Sequence, residues 1–282
     1  RPTYTETENE LTVKANKRTF IFSKKDGQLK GVSVDNRKIN FANGPRFIGA
    51  RRADRSLDQF YNHDDEKAKE KDRTYSEFPD AAVFTKLDVK EDGGNLVVTA
   101  NYKLGNLDKA QWTINPSGEL ALDYTYNFSG VVDLMGIRFD YPEDQVISKR
   151  WLGAGPYRVW QNRIHGTQYD VWENDYNDPI PGETFTYPEF KGYFGNVSWM
   201  NIQTKEGTIS LTNETPDAYI GVYQPRDGRD RLLYTLPESG ISVLNVIPPV
   251  RNKVNSTDLC GPSSQPKWVN GPQTGRVIFR FM

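Results

Sequence analysis

The sequence predicts an all-β fold, a large antiparallel sandwich of two layers with almost no helix. Short segments in which apolar and polar residues alternate recur along the chain, and such alternation is typical of strands with one buried face. Turns rich in Gly, Asn, Asp and Pro separate these segments, as in antiparallel hairpins. No long stretch has helical periodicity, which excludes a barrel of alternating strands and helices.

Three hairpins are predicted in the first half of the chain. Residues 11–15 and 18–23 form strands, and the turn Lys24-Lys25-Asp26-Gly27 leads into a strand at residues 28–34. The other two hairpins pair residues 83–90 with 95–103 and residues 109–114 with 119–127. Further strands are predicted at residues 135–140, 198–203, 208–212, 219–223, 241–246 and 276–281.

The composition limits the classes of function. The 282 residues fit one large β domain, and we predict a single domain over residues 1–282. The 36 basic and 37 acidic residues give a net charge of −1, so nothing in the charge favours nucleic acid or a membrane surface. A single cysteine, Cys260, excludes an internal disulfide framework. Because the chain opens with Arg1, we expect a processed chain or a piece of a longer protein.

Residues 61–80 differ from the rest of the chain. Residues 62–73 are almost wholly charged. Such runs usually solvate a surface, so we predict a charged surface insertion, as a short exposed helix or a mobile loop.

An aromatic stretch at residues 151–195 is the leading candidate for a functional site. Three of the six tryptophans, Trp151, Trp160 and Trp172, lie in it among tyrosines, acids, amides and arginines. A sugar offers a C–H face to an aromatic ring and hydroxyls to polar groups, so this composition suits a carbohydrate contact. Tryptophan is also mostly buried, so the same residues could fill the core of a β domain, and the sequence leaves both interpretations open.

Motifs for the common catalytic chemistries are not found. His63 and His165 are the only histidines, too few for a multi-histidine metal site, and we predict no metal and no cofactor. The sequence has no phosphate loop, dinucleotide fingerprint or nucleophile elbow. Acids are plentiful between residues 170 and 189, but a glycosidase needs two carboxylates that face each other across the scissile bond. The sequence cannot show whether any two of them do.

A resemblance to family 2 β-galactosidases starts in the aromatic stretch. Trp151, Gly153, Gly155, Pro156 and Arg163 match a motif of that family that runs Trp, any, Gly, any, Gly, Pro, any, Glu, any, Tyr, any, Asp, Arg. Other segments resemble further family motifs in the same order: residues 22–29 the opening hairpin, 187–192 a Pro-Gln-Glu-x-Gly segment, 258–262 a Cys-Gly-Pro motif, and 276–281 the final strand. The resemblance covers nearly the whole chain and identifies it with the C-terminal domain of the family.

The resemblance implies a large antiparallel β supersandwich similar to galactose mutarotase. In the family this domain packs against a catalytic (β/α)8 barrel, which carries the nucleophile and the acid/base glutamates, and helps to form the rim of the sugar site. We therefore expect a non-catalytic accessory domain whose partners are the barrel of the same full-length protein and carbohydrate. The Asn-, Tyr- and Trp-rich polar surface suggests a periplasmic or extracellular protein.

Several positions depart from the family pattern. The Glu, Tyr and Asp of the first motif are Arg158, Trp160 and Asn162 here, and an arginine would suit a substrate with a carboxylate, such as a uronic acid. Some β-galactosidases place a sugar-stacking tryptophan before a Leu-Asn pair, where this chain has Val243. Only a remnant of the family's Arg-Ala-Pro-x-Asp-Asn-Asp segment remains at residues 51–54.

The candidate contact residues follow from strand geometry. If the segment is extended, Arg158, Trp160 and Asn162 point to one face of a sheet. A buried arginine needs a partner, so we expect this face to be exposed or at an interface, binding carbohydrate or docking the barrel. Trp172 and Glu189 complete the predicted set.

Two alternatives stay open from the sequence. One is a free-standing enzyme of the aldose mutarotase or epimerase type, with His165 as the acid and a carboxylate as the base. It would need His63 as a supporting histidine, from within the charged segment. The other is a plain carbohydrate-binding module.

Overall fold

The computed structural model describes residues 1–52, 75–176, 178, 180–181, 190–222, 236–250 and 261–282. The strands in this part of the chain, in order, are β1 Thr3–Glu6, β2 Glu10–Ala15, β3 Arg18–Ser23, β4 Leu29–Val34, β5 Arg37–Ile39, β6 Ala42–Arg52, β7 Tyr75–Glu77, β8 Val83–Asp92, β9 Asn95–Lys103, β10 Leu107–Ile114, β11 Leu120–Asn127, β12 Gly130–Val132, β13 Leu134–Asp140, β14 Val146–Gly155, β15 Gln168–Asp175, β16 Trp199–Thr204, β17 Gly207–Asn213, β18 Tyr219–Gly221, β19 Ile241–Val246, β20 Lys267–Val269 and β21 Pro272–Phe281. Helical structure in the described residues is limited to short 3₁₀ turns, such as Glu143–Gln145 and Pro262–Ser264.

The described strands form two large sheets. One has ten strands in the order β1-β2-β3-β4-β6-β13-β19-β18, with β5 on β4 and β7 on β6. The other has nine, in the order β15-β14-β16-β17-β21-β11-β10-β9-β8, and β12 pairs with β20 separately. All pairings between these named strands are antiparallel. The predicted all-β antiparallel supersandwich is confirmed.

An inter-sheet core of apolar side chains holds the two large sheets together. At its centre the ring of Phe139 on β13 stacks on Phe41, with centroids 4.6 Å apart. The same ring meets Phe279 on β21 at 5.4 Å and Trp112 on β10 at 5.9 Å, both edge-to-face. Phe139 therefore joins a strand of the ten-stranded sheet to two strands of the nine-stranded sheet, and aromatic pairs of this kind add to the stabilisation from area burial alone.

A second cluster lies on the other face of the ten-stranded sheet, and we call it the outer cluster. Its buried members are Ile48, Ala50, Tyr75, Leu134, Val159, Trp160, Tyr193, Leu236, Leu244, Ile247 and Val250. On β6 and β19, Ile48 and Leu244 belong to this cluster, whereas their neighbours Phe47 and Val243 belong to the inter-sheet core. The middle of the sheet is thus buried on both faces, so these strands have apolar residues at consecutive positions there, as at Phe47-Ile48 and Val243-Leu244.

The predicted charged insertion falls largely outside the described residues, which omit 53–74. Its described end is structured, because β7 pairs with the end of β6, in the register Arg52 with Tyr75. Tyr75 is buried in the outer cluster. Among the described residues, no helix is long and apolar enough to cross a membrane.

Candidate functional site

Residues 156–163 leave the nine-stranded sheet and cover the outer cluster. Between the end of β14 at Gly155 and the start of β15 at Gln168 the chain forms no strand. Within this segment the backbones of Val159 and Tyr193 exchange two hydrogen bonds of 2.7 Å. Trp160 and Arg163 then pair within a tight reversal. The expectation of an exposed face shared by residues 158, 160 and 162 is therefore wrong. Its premise, an extended strand, does not hold, and an apolar face of the ten-stranded sheet lies beneath the segment and needs cover.

Trp160 is a packing residue of this cover. Its side chain is 4% exposed, and its ring meets the ring of Tyr193 edge-to-face with centroids 5.8 Å apart and an interplanar angle of 85°. The indole therefore offers no open platform for a sugar on this chain. Whether Trp160 contacts the barrel or carbohydrate in a larger assembly stays a prediction.

Asn162 and Gln161 fasten the cover to the loops beside it. The Asn162 side chain donates to the Val250 carbonyl and accepts from the Val250 amide, both at 2.8 Å. The Gln161 amide nitrogen donates to the carbonyls of Ser263 at 2.7 Å and Gln265 at 2.8 Å. The side chain of Asn162, which was predicted to contact carbohydrate or the barrel, holds a backbone segment in place here.

Arg158 is buried beside another cation, Lys149 of β14. Both residues are 1% exposed. The Lys149 ammonium donates to the Asp175 carbonyl and lies 5.9 Å from the centre of the Phe194 ring. Burial, together with the nearby charge of Arg158, lowers the pKa of Lys149 to about 6. Because Arg158 is enclosed, it does not present a guanidinium on the surface of this chain, and the expectation of a uronic acid loses its motivation.

The other predicted residues lie apart from this cover. Trp172 is half-buried on edge strand β15, and its ring occupies the space above Gly155, where an added Cβ would come within 2.4 Å of it. Trp172 packs against the inter-sheet core, whereas Trp160 belongs to the outer cluster. His165 is exposed in the turn between β14 and β15, not in a strand as expected. Glu189 and His63 lie outside the described residues.

Two further expectations can be placed. Val243 is buried in the inter-sheet core, so a side chain at that position could not form a sugar platform. Within the described residues, no group of three or more metal-ligating side chains is found. The carboxylates of Asp123 and Glu214 both pair with the Arg276 guanidinium, at 2.5 and 3.0 Å.

Two cavities in the described part of the chain have volumes of about 490 Å³ and about 460 Å³. The second begins where the aromatic stretch leaves β14, and it is lined by Ala154, Val159, Ile164, Thr167, Gln168, Tyr169, Gly195, Asn196, Asp217, Ala218 and Tyr219. We call it the Tyr169–Tyr219 cleft. No local sequence pattern predicts this cleft, because its lining comes from four separate segments. The adjacent Gln168-Tyr169 pair and Asn196 were the available signals.

Comparisons with known proteins agree with the sequence resemblance at the level of the family. The family model described as the β-galactosidase small chain matches residues 14–251. A comparison with curated proteins found no match.

Among solved structures, the chain is similar to galactose 1-epimerase from Lactobacillus acidophilus, at 9% identity and a TM-score of 0.48 over 100% of this chain and 98% of that one. A galactose mutarotase-like protein from Lactobacillus casei aligns at 11% identity and a TM-score of 0.40, with 100% of both chains covered. An alpha-N-acetylgalactosaminidase from Bifidobacterium bifidum aligns at 10% identity and a TM-score of 0.43 over 96% of this chain and 36% of that one. All three scores are below 0.5, so these likenesses carry no functional argument.

Proposed function

This chain belongs to the β-galactosidase small-chain family, and from that premise we propose that it is a non-catalytic accessory domain of a family 2 glycoside hydrolase. In this proposal it packs on the catalytic barrel of the same full-length protein and contributes contacts to carbohydrate at the edge of the substrate site. The family description itself names a small chain, which implies a larger catalytic partner.

The observation that carries the proposal is a row of residues, all but one of them uncharged, across the outer face of the nine-stranded sheet. Strand register aligns one residue from each strand in this row, which from β8 to β15 reads Lys90, Val97, Thr113, Ala121, Ile278, Thr212, Trp199, Leu152 and Val171. We call it the outer row. The chain neighbours of Trp199 and Leu152, Met200 and Trp151, face the inter-sheet core. The side chains on a sheet face that meets only water are mostly polar. In this row, however, Lys90 is the one charged member.

Several charges that flank the outer row pair with one another. Arg280 pairs with Glu119, and Arg276 pairs with both Asp123 and Glu214. Paired charges next to a mostly uncharged row favour contact by packing and hydrogen bonds over long-range charge attraction. Trp199 is the aromatic anchor of the face, and tryptophans of this kind dominate the energy of interfaces.

The mutarotase-type alternative finds less support. That chemistry requires a histidine acid and a carboxylate base on opposite sides of a bound sugar. His165 lies exposed in a turn and is absent from the lining of the Tyr169–Tyr219 cleft. A plain carbohydrate-binding module remains compatible with the accessory role.

The test is association with the catalytic barrel of the same protein, produced as a separate polypeptide. We expect the wild-type chain to bind it, and Trp199→Ser to weaken binding by about tenfold or more, as for a central aromatic anchor. Trp268→Ser is the matched control, because Trp268 is 73% exposed on β20, away from the outer row. Titration calorimetry measures both.

Three outcomes would contradict the proposal. They are failure of the wild-type chain to bind the barrel, equal binding by Trp199→Ser and wild type, and turnover of aryl β-galactosides or mutarotation of galactose by the chain alone.

A further inference from the structure

We propose that the Tyr169–Tyr219 cleft binds a neutral pyranose ring, as an accessory carbohydrate subsite. This rests on the proposed function, because it names the place where the domain would meet the substrate. Its volume of about 460 Å³ lies within the range of small-molecule sites.

The floor of the cleft is held by backbone hydrogen bonds between the two large sheets. The Ala154 amide at the end of β14 donates to the Gly195 carbonyl at 2.9 Å. Phe194 and Ile220 of β18 exchange two hydrogen bonds of 2.9 Å. Residues 193–196 thus connect a strand of the nine-stranded sheet to one of the ten-stranded sheet. A floor fixed in this way does not have to be ordered when a ligand binds, so less binding free energy is lost.

Two tyrosines from different sheets line the cleft. Tyr169 on β15 is 53% exposed, and its hydroxyl is fixed by a 2.6 Å hydrogen bond with the Ser198 hydroxyl. Tyr219 on β18 is half-buried, with its ring against Gly195, where an added Cβ would lie 3.5 Å from a ring carbon. Aromatic rings with their orientation already set suit the C–H faces of a pyranose.

Polar groups surround these rings. Thr167, Gln168, Asn196 and Asp217 also line the cleft and offer donors and acceptors for hydroxyls. Asn196 and Asp217 both have left-handed backbone conformations, with φ of 49° and 56°. Such conformations are uncommon outside glycine and recur at functional sites, which is consistent with side chains held in specific positions.

The charge of the lining selects among sugars. Asp217 is the charged member of the lining, and no basic residue is included. A uronic acid would place its carboxylate near that of Asp217 with no cation of the lining to bind it, whereas a neutral sugar can donate hydroxyl protons to Asp217. The geometry therefore favours neutral over acidic sugars, opposite to the expectation drawn from Arg158.

The other large cavity is less suited to a sugar. It is lined by Lys30, Asp140 and Tyr141 among others, and these groups already have partners. Lys30 pairs with Asp26 at 2.8 Å, Arg46 pairs with Asp140, and the Tyr141 hydroxyl donates to Glu206 at 2.9 Å.

The experiment is a titration of the full chain with methyl β-galactopyranoside, methyl β-glucopyranoside and methyl β-glucuronide. Binding of each glycoside is measured by saturation-transfer nuclear magnetic resonance. We expect at least one neutral glycoside to bind, and the glucuronide to bind at least fivefold more weakly. Tyr169→Ala should lose at least fivefold in affinity, whereas Tyr169→Phe, which keeps the ring, should keep most of it. Tyr4→Ala is the matched control, because Tyr4 is 44% exposed on β1 at the far edge of the other sheet.

The inference is overturned if no neutral glycoside binds, if the glucuronide binds as well as the neutral sugars, or if Tyr169→Ala binds like the wild type. Should Tyr169→Ala fail to fold, Asp217→Asn decides the point, since it should raise the affinity for the glucuronide relative to the neutral glycosides. Loss of sugar binding with intact barrel association would remove only the subsite. Intact sugar binding without barrel association would remove only the accessory role.

Discussion

The inter-sheet core and the outer cluster both consist of buried apolar side chains, but they are built in different ways. In the inter-sheet core, side chains such as Phe139, Phe279 and Trp112 come from regular strands, and the alternation of each strand is enough to direct them inward. In the outer cluster one wall is sheet and the other is irregular chain. Trp160 belongs to this irregular chain, which the side chain of Asn162 bonds to the backbone of Val250.

This contrast between the two clusters shows what the segment with Arg158, Trp160 and Asn162 does in this chain. The residues that resemble a sugar-binding row form the second wall of a core, and their polar members bond to backbone groups of neighbouring loops. The chain thereby turns an exposed sheet face into a buried one, and the Tyr169–Tyr219 cleft opens at the margin of this cover.

The largest effect is expected in the inter-sheet core. Phe139→Ala removes a ring that touches both sheets, and we expect a loss of about 3–5 kcal/mol in the free energy of unfolding. Leu104→Ala is the control at a 72% exposed side chain, with a change within about 0.5 kcal/mol. Urea denaturation measures both. A loss below about 1 kcal/mol for Phe139→Ala would mean that the two sheets do not depend on this contact.

The second prediction uses the buried Lys149 beneath the cover. Its pKa falls from 10.5 to about 6 on folding. Between these values the unfolded chain binds a proton that the folded protein does not, so this residue makes the free energy of unfolding rise with pH, and its penalty is complete below about pH 6.

Lys149→Met should remove that dependence. We expect wild type to gain up to about 3 kcal/mol relative to this variant between pH 7 and pH 9, measured by urea denaturation at each pH. The exposed Lys103→Met should show no such change. A wild-type curve parallel to that of Lys149→Met would contradict the low pKa.

The third and smallest effect concerns the attachment of the cover. Asn162→Ala removes two hydrogen bonds to Val250 and should cost about 1–3 kcal/mol, since it leaves buried backbone groups without their partners. Hydrogen exchange at the Val250 amide should accelerate, while amides of the inter-sheet core stay protected. Asn201→Ala, on the outer face of the nine-stranded sheet, is the control. Unchanged exchange at Val250 would show that Trp160 packing alone holds the cover.

Much of the fold was predictable from local pattern. The three hairpins were confirmed as β3–β4 with β2 before them, β8–β9 and β10–β11, because each has clear alternation and a glycine-containing turn. Strand β6 was missed, since Gly44, Pro45 and Gly49 interrupt its pattern. Gly49 is explained only by packing, because an added Cβ there would lie within 2.9 Å of the rings of Phe47 and Phe78.

The candidate site was less predictable than the fold. The stretch that adjoins the cleft was identified, but the orientation of Arg158 and Trp160 was wrong. Strand parity holds only while the chain stays in a sheet, and here it leaves the sheet at Gly155. The lining around Tyr169 is separated by tens of residues from residues 195–196 and again from 217–219, so no local pattern could join Tyr169 to Tyr219.

The antiparallel β structure follows from local sequence, because alternation with period two requires each strand to bury one face. Membership of a family also follows from the sequence, through motifs distributed along the chain. The burial of Trp160 and Arg158, in contrast, depends on contacts between distant segments. The reason is that the outer face of β6, β13 and β19 is itself apolar, and removing that surface from water favours covering it with the nearest aromatic segment over exposing that segment to a ligand.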